Sequence, residues 1–396
     1  MAISTPLEVN RNTTINDDYS FLIEEAFIKP IRNVTIIDDE YPTLDTFLNA
    51  ESLVYDKDGY KVSGRKITNV NLDRLKSITS MCRNKYKWSV DVYDGQSPKL
   101  GEDNTFPEYL NHSDLLILDY HLDGEPPEDD GGRARNIINF LNINNHFNHV
   151  IVHTKGYEEG IEKVYSEILR DLISIDVTMP NYCDIDLFIR AHLSKEEDDD
   201  SSNSLLELNI DPLDFIRSMY PVFHSNYHEP EHIFYTLRDQ IDQLAVNVKE
   251  CNSDIFKWFC IQLCKKASIP YGGNAEVTWK YEGGTNFISS GKVFITVIDK
   301  NADGDENSLY IGLHEALKNL NPSPMMLLMA KMRYQLDEEG VNQANDIIND
   351  PNAQCGWLVD MLNKDIDDDY THFGAISRQW EQLSSASTGP LIDFSK

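Results

Sequence analysis

The chain has 396 residues, enough for two or three domains, and 41% of them are hydrophobic, an ordinary fraction for packed cores. Its 66 Asp and Glu outnumber its 35 Lys and Arg, a formal net charge of -31, so the average face repels nucleic acid and anionic membrane surfaces. The N-terminus MAISTPLEVNRNTTINDDYS lacks a basic region followed by an apolar run, and no apolar stretch approaches membrane-spanning length, so a cytoplasmic protein is expected.

In chain order, residues 1–30 form an N-terminal segment. From residue 31 apolar strands alternate with helical patterns: RNVTIIDD reads as a strand, YPTLDTFLNAESL and NLDRLKSITSMCRNKY as helices, and WSVDVYDG as a short strand. SDLLILDY is an almost wholly apolar strand, GGRARNIINFLNINN a helix, HVIVHT another apolar strand and YEEGIEKVYSEILRDLI another helix. Strands this apolar suit a parallel sheet covered on both faces by helices, so 31–193 is expected to be a doubly wound α/β domain. SKEEDDDSSNS, 194–204, cannot bury apolar area and reads as a solvated linker. Beyond it, 205–396 reads as mainly helical, with EVTWKYEGG and GKVFITVID as a small strand pair.

Three of the apolar strands end in polar groups: IIDDE, ILDYH and IVHTK. Ligands of open parallel sheets gather at the carboxyl ends of the strands. Side by side, these strands bring Asp38, Asp39 and Asp119 together beside Thr154. Their mutual repulsion calls for a cation. A hard divalent ion such as magnesium, held by oxygens at about 2.0 to 2.1 Å, suits this set better than zinc, because no His or Cys joins it.

This constellation resembles the response-regulator receiver domain of two-component signalling. Asp38 and Asp39 match the acidic pair after the first strand, Asp119 in LLILDYHLDG the phosphoacceptor after the third, with Leu122 and Gly124 following, and Thr154 in VIVHTKG the hydroxyl residue after the fourth. The resemblance covers about residues 31–190 and implies a doubly wound parallel five-stranded sheet of the flavodoxin-like kind. It also implies that Asp119 takes a phosphoryl group from a phosphohistidine on a partner kinase, that Asp38, Asp39, Asp119 and the backbone carbonyl of Tyr120 hold Mg2+, and that Thr154 contacts the phosphoryl group. Family members carry a Lys, usually followed by Pro, after the fifth strand. The fifth-strand candidate here is ISIDVTMPN, with Met179 before Pro180, so either the fifth strand lies elsewhere or the cation is missing. Lys155, directly after Thr154, is a substitute candidate. The pattern of IEEAFIKPIRNVTIIDDEYPT and HFNHVIVHT further resembles a divergent receiver group of bacterial conflict or phage-defence gene clusters, often with a histidine-kinase-like ATPase as partner.

Other motifs in the second half have plainer readings. DKNADGDENSLY places Asp299, Asn301, Asp303 and Gly304 as in an EF loop, but Tyr310 stands where a bidentate Glu belongs and a strand precedes it, so a polar β-turn loop is expected. His224, His228 and His232 are four apart, but Pro230 interrupts them, and a surface helix start is expected. Met325, Met326, Met329 and Met332 share a helix face expected to pack in a core. Cys260 and Cys264 likewise share an apolar helix face, and no C-x-x-C pair occurs among the six cysteines, so reduced thiols are expected.

Together these features predict a Mg2+-dependent phosphoreceiver, taking up about one phosphate per chain rather than turning over, that signals through protein contacts of 205–396. A phosphate sink, a non-phosphorylated receiver-like scaffold and a Mg2+-dependent phosphohydrolase are the alternatives.

Overall fold

The computed structural model describes residues 19–44, 48, 54–56, 59–62, 65–96, 100, 106–124, 126, 128–144, 146–158, 160–193, 210–273, 276–282, 284–300, 307–348 and 351–362, with 374, 377, 381, 384, 392, 394 and 395. They fall into two compact units, one formed by 33–312 and the other by 1–32 with 313–396.

The larger unit is built on a seven-stranded sheet. Its strands are β1 (Asn33–Ile37), β5 (Ser89–Tyr93), β6 (Leu115–Leu118), β7 (Asn148–Thr154), β8 (Thr278–Glu282), β9 (Thr285–Ser289) and β10 (Val293–Asp299), in the spatial order β5-β1-β6-β7-β10-β9-β8. β2 (Val54–Asp56), β3 (Gly59–Val62) and β4 (Arg65–Thr68) make a separate antiparallel sheet. Five strands of the large sheet, β5, β1, β6, β7 and β10, are parallel, and β9 and β8 extend it antiparallel beyond β10. Burial follows position. β6 and β7 are buried at every residue, whereas the edge strands β5 and β8 are partly exposed, as expected where helices cover the sheet centre.

The helices α1 (Asn69–Ser80), α2 (Gly132–Ile143) and α3 (Glu162–Leu172) follow β4, β6 and β7. α3 is strongly amphipathic, burying Val164, Tyr165, Ile168, Leu169 and Leu172, and the Tyr165 hydroxyl donates to the Phe287 carbonyl on β9 at 3.0 Å. Four more helices, α4 (Tyr182–Leu193), α5 (Pro212–Met219), α6 (Arg238–Val248) and α7 (Asn252–Ala267), come before the β8–β9 hairpin. α7 buries Phe256, Phe259, Cys260 and Cys264 in the same core as β6 and α3.

The α/β class with a mostly parallel central sheet is as expected, but the fifth parallel strand is not where ISIDVTMPN placed it. Of that segment only Ile175 makes a bridge, to Tyr271, and the place beside β7 is filled by β10 in full register from Asn148 and Val293 to Thr154 and Asp299. β10 wins that place because Val293, Phe294, Ile295, Thr296 and Val297 are all buried, the composition a central parallel strand needs, whereas Asp176 and Thr178 in the earlier candidate are exposed. A helical segment and a hairpin are thus inserted between the fourth and fifth parallel strands. The expected small strand pair is part of the main sheet, which has seven strands rather than five. The division into 31–193 and 205–396 departs from the observed one for the same reason, while 194–204 lies outside the described residues.

The second unit is helical. α8 (Ser308–Leu320) leads into it, followed by α9 (Pro324–Ile348) and α10 (Pro351–Leu362). The N-terminal turn Glu24–Ile28 packs on α9, where Glu25 pairs with Lys331 at 2.9 Å and Arg32 with Asp337 at 2.6 Å. Met325, Met326 and Met329 are exposed, contrary to the core expectation, because α9 buries Leu327, Lys331 and Gln335 on another face. Residues 224–230 form an irregular loop with a turn at 227–228 rather than a helix start.

Candidate functional site

Three neighbouring strands deliver carboxylates and hydroxyls to one rim of the sheet. The ladder continues past β1 and β6: the Asp119 amide donates to the Ile37 carbonyl at 2.8 Å, and the Asp38 amide to Tyr93 at 3.1 Å. Asp38, Asp39 and Asp119 consequently lie with one carboxylate oxygen each within 4.8 Å of the others. Asp38 folds back on its own turn, its Oδ1 accepting from the Glu40 amide at 3.0 Å. Thr154 ends β7 fully buried, its hydroxyl accepting from the Gly156 amide at 3.1 Å.

The residue that sequence reasoning missed completes this rim. Because Thr154 pairs with Asp299, the next residue, Lys300, donates its amide to the Thr154 carbonyl at 2.8 Å and sends its side chain into the acidic cluster. Its Nζ lies 2.8 Å from Asp38 Oδ2 and 2.5 Å from Asp119 Oδ2, and the side chain is 0% exposed. Burial works against the charged ammonium, but the attraction of Asp119 and Asp38 outweighs it and Lys300 is held protonated. For Asp119 burial acts the other way and raises its carboxyl, against the pull of Lys300. A buried ion triplet of this kind is costly to leave incomplete. The signal was present in the sequence: VFITVIDK is an apolar strand followed by a lysine, read as part of a hairpin because it lies so far from Thr154.

The other expected site residues are distributed as follows. Lys155 lies just past β7 and pairs with Glu40 at 2.9 Å. A pocket at the rim is lined by Asp39, Glu40, Asp119, His121, Gly124 and Lys155. Tyr120 is not among its lining residues. The Tyr120 ring is buried on the other side, where its hydroxyl donates to Glu167 at 2.7 Å and accepts from Arg135 at 2.6 Å. This alternation is that of an extended chain leaving β6. Met179 and Pro180 belong to the segment before α4 and take no part in the pocket.

Arg133 and Asp129 hold the loops of the rim. Arg133 on α2 donates to the carbonyls of Leu100 at 2.9 Å and of Gly95, and to Asp123 at 2.6 Å. Asp129 accepts from the amides of Asp123 and Gly131, both at 2.8 Å. Asp123 and Asp129, which follow Asp119, are therefore held by bonds. Gly131 takes a φ of +71°, and a Cβ there would lie 2.1 Å from the Tyr120 ring, so only glycine fits.

The donor set fits a hard divalent cation: oxygen ligands only, largely buried, with like charges crowded together. Residues 30–198 match the family model of the response receiver domain, a match that ends before β10 begins. No curated protein and no solved structure matches the chain.

Proposed function

We propose that this chain, which carries a response-regulator receiver domain over residues 30–198, is a phosphoreceiver whose acceptor is Asp119 and whose site is completed by Lys300. The observation that carries this reading is the ammonium of Lys300 seated between Asp38 and Asp119. A receiver needs a carboxylate nucleophile, an acidic metal cradle, a hydroxyl and a cation at the same rim, and all four residue types meet there. It also favours a competent acceptor over a receiver-like scaffold.

In the proposed reaction a carboxylate oxygen of Asp119 attacks the phosphorus of a phosphohistidine on a histidine kinase or histidine-kinase-like ATPase. The phosphorus–nitrogen bond breaks, its electron pair returns to the imidazole, and an acyl phosphate remains on Asp119. Asp38, Asp39 and Asp119 would hold Mg2+, which neutralises charge on nucleophile and phosphoryl group alike. A backbone carbonyl just after Asp119, that of Tyr120 as the resemblance implies or that of His121, which lines the pocket, would add a further oxygen ligand. Lys300 leaves Asp119 for a phosphoryl oxygen, and the Thr154 hydroxyl donates to another. Because Lys300 and Thr154 share a backbone hydrogen bond, both responses pull on the ends of β7 and β10, upstream of α8. Contacts of the C-terminal helical region with a protein partner then carry the signal. The divergent receiver group noted above makes bacterial phage defence the biological setting we favour.

Incubation of the purified chain with acetyl phosphate and Mg2+ is expected to add one acid-labile phosphoryl group in intact mass, abolished by Asp119→Asn. Undiminished incorporation in that variant refutes the assignment. Continuous release of phosphate would instead mark a hydrolase.

A further inference from the structure

The Glu40–Lys155 ion pair crosses the sheet in an unusual place. Glu40 follows β1 and Lys155 follows β7, which are not neighbours; β6, the strand that presents Asp119, runs between them. The two side chains are 115 positions apart in sequence and meet at 2.9 Å, and both line the pocket with Asp119. A bridge between these two strand ends must pass over the end of the third. It is also the outer layer of the site: Lys155 and Glu40 are 34% and 28% exposed, against 0% for Lys300 and 8% for Asp119.

The local backbone is built to place it. The chain leaves the strand at Thr154 and turns at Gly156, whose φ is +71° and where a Cβ would lie 2.7 Å from the Gly160 carbonyl oxygen. Tyr157 and Gly160 close this turn with two backbone hydrogen bonds, of 3.1 and 2.9 Å. Glu40 is set by the Asp38 turn beneath it. The carboxylate and the ammonium thus meet at 2.9 Å.

The geometry points to an electrostatic latch: in the resting site Glu40 occupies Lys155, and a phosphoryl group arriving on Asp119 displaces Glu40 and takes Lys155 as a second cation beside Lys300. This rests on the receiver reading of the same site and adds its regulation. The carboxylate of Glu40 then acts as a built-in competitor of the phosphoryl dianion, setting how readily an anion loads and is retained. Lys300 answers the charge from below, and Lys155 closes over it from solvent.

A latch differs from a structural ion pair in the sign of its responses. Either half of a structural pair, once removed, does the same damage. In a latch, Glu40→Gln frees the cation for the anion, whereas Lys155→Met removes the cation and leaves Glu40 facing the anion. Beryllofluoride, titrated at saturating Mg2+ into the full-length chain, reads this directly. Expected is about two- to fivefold tighter binding for Glu40→Gln and a comparable weakening for Lys155→Met, the scale of a partly exposed ion pair. If Lys155→Met does not fold, Glu40→Gln decides alone: tighter binding supports the latch, and unchanged or weaker binding overturns it. Shifts of the same sign for Glu40→Gln and Lys155→Met, or none, overturn the latch while leaving the receiver intact. A wild-type chain without Mg2+-dependent beryllofluoride binding, or an Asp119→Asn chain that binds it equally well, overturns the receiver reading and the latch with it.

Discussion

Lys155 and Lys300 each follow the last residues of a parallel strand, β7 and β10, at the same rim of one sheet, yet they stand in different electrostatic environments. Lys155 is partly exposed and pairs with Glu40, itself partly exposed; Lys300 is fully buried and pairs with Asp38 and Asp119, both buried. A charge that water can reach is replaceable at little cost, whereas a charge buried among opposite charges is part of the fold. The lysine next to Thr154 in sequence is therefore the peripheral one. The lysine at the centre of the site arrives only after five further helices and a hairpin.

The contrast breaks most severely by truncation. A chain ending at residue 198 retains the segment that matches the receiver family but lacks β10, whose Val293, Phe294, Ile295 and Val297 are buried. At about 1.5 to 3 kcal/mol for each such side chain, the loss is comparable with the whole stability of a domain. No cooperative thermal transition is expected by circular dichroism; a well-folded fragment would mean that the sheet does not need its fifth parallel strand.

Lys300→Met should cost about 3 to 5 kcal/mol in urea denaturation without metal, because Asp38 and Asp119 are left buried against each other. Added Mg2+ should restore part of it by binding the folded state alone. A loss below about 1 kcal/mol would place Lys300 with Lys155 as a peripheral charge.

Gly131→Ala tests the support beneath Asp119. A loss of about 1 to 3 kcal/mol is expected from the unfavourable backbone conformation, together with displacement of the Tyr120 ring, visible as a changed tyrosine environment in near-ultraviolet dichroism. Lys155→Met should shift stability least, by less than about 1 kcal/mol, measured in the same denaturation series.

Much of the site was legible in the sequence because its first three strands are local. VTIIDD, LLILD and VIVHT each state their own burial and their own polar end, and a parallel sheet has few ways to order them. The fifth strand was not legible, since GKVFITVIDK shows the same pattern but nothing in its period tells which strand it joins; pairing across an insertion is decided by the unfilled place beside β7. The Tyr120–Arg135–Glu167 network was hidden for a similar reason, as its members come from the β6 end, α2 and α3. Arg133, at the start of α2, likewise ties together loop residues that are distant from it in the chain.

The central claim is that Asp119 and Lys300 belong to one phosphoryl site. Hydrogen exchange followed by mass spectrometry on the full chain, with Mg2+ and with or without beryllofluoride, tests it most directly. Altered exchange is expected both in the peptide following Asp119 and in the peptide spanning β10 and Lys300. A response at Asp119 accompanied by changes at 173–180, with β10 unaltered, would contradict it.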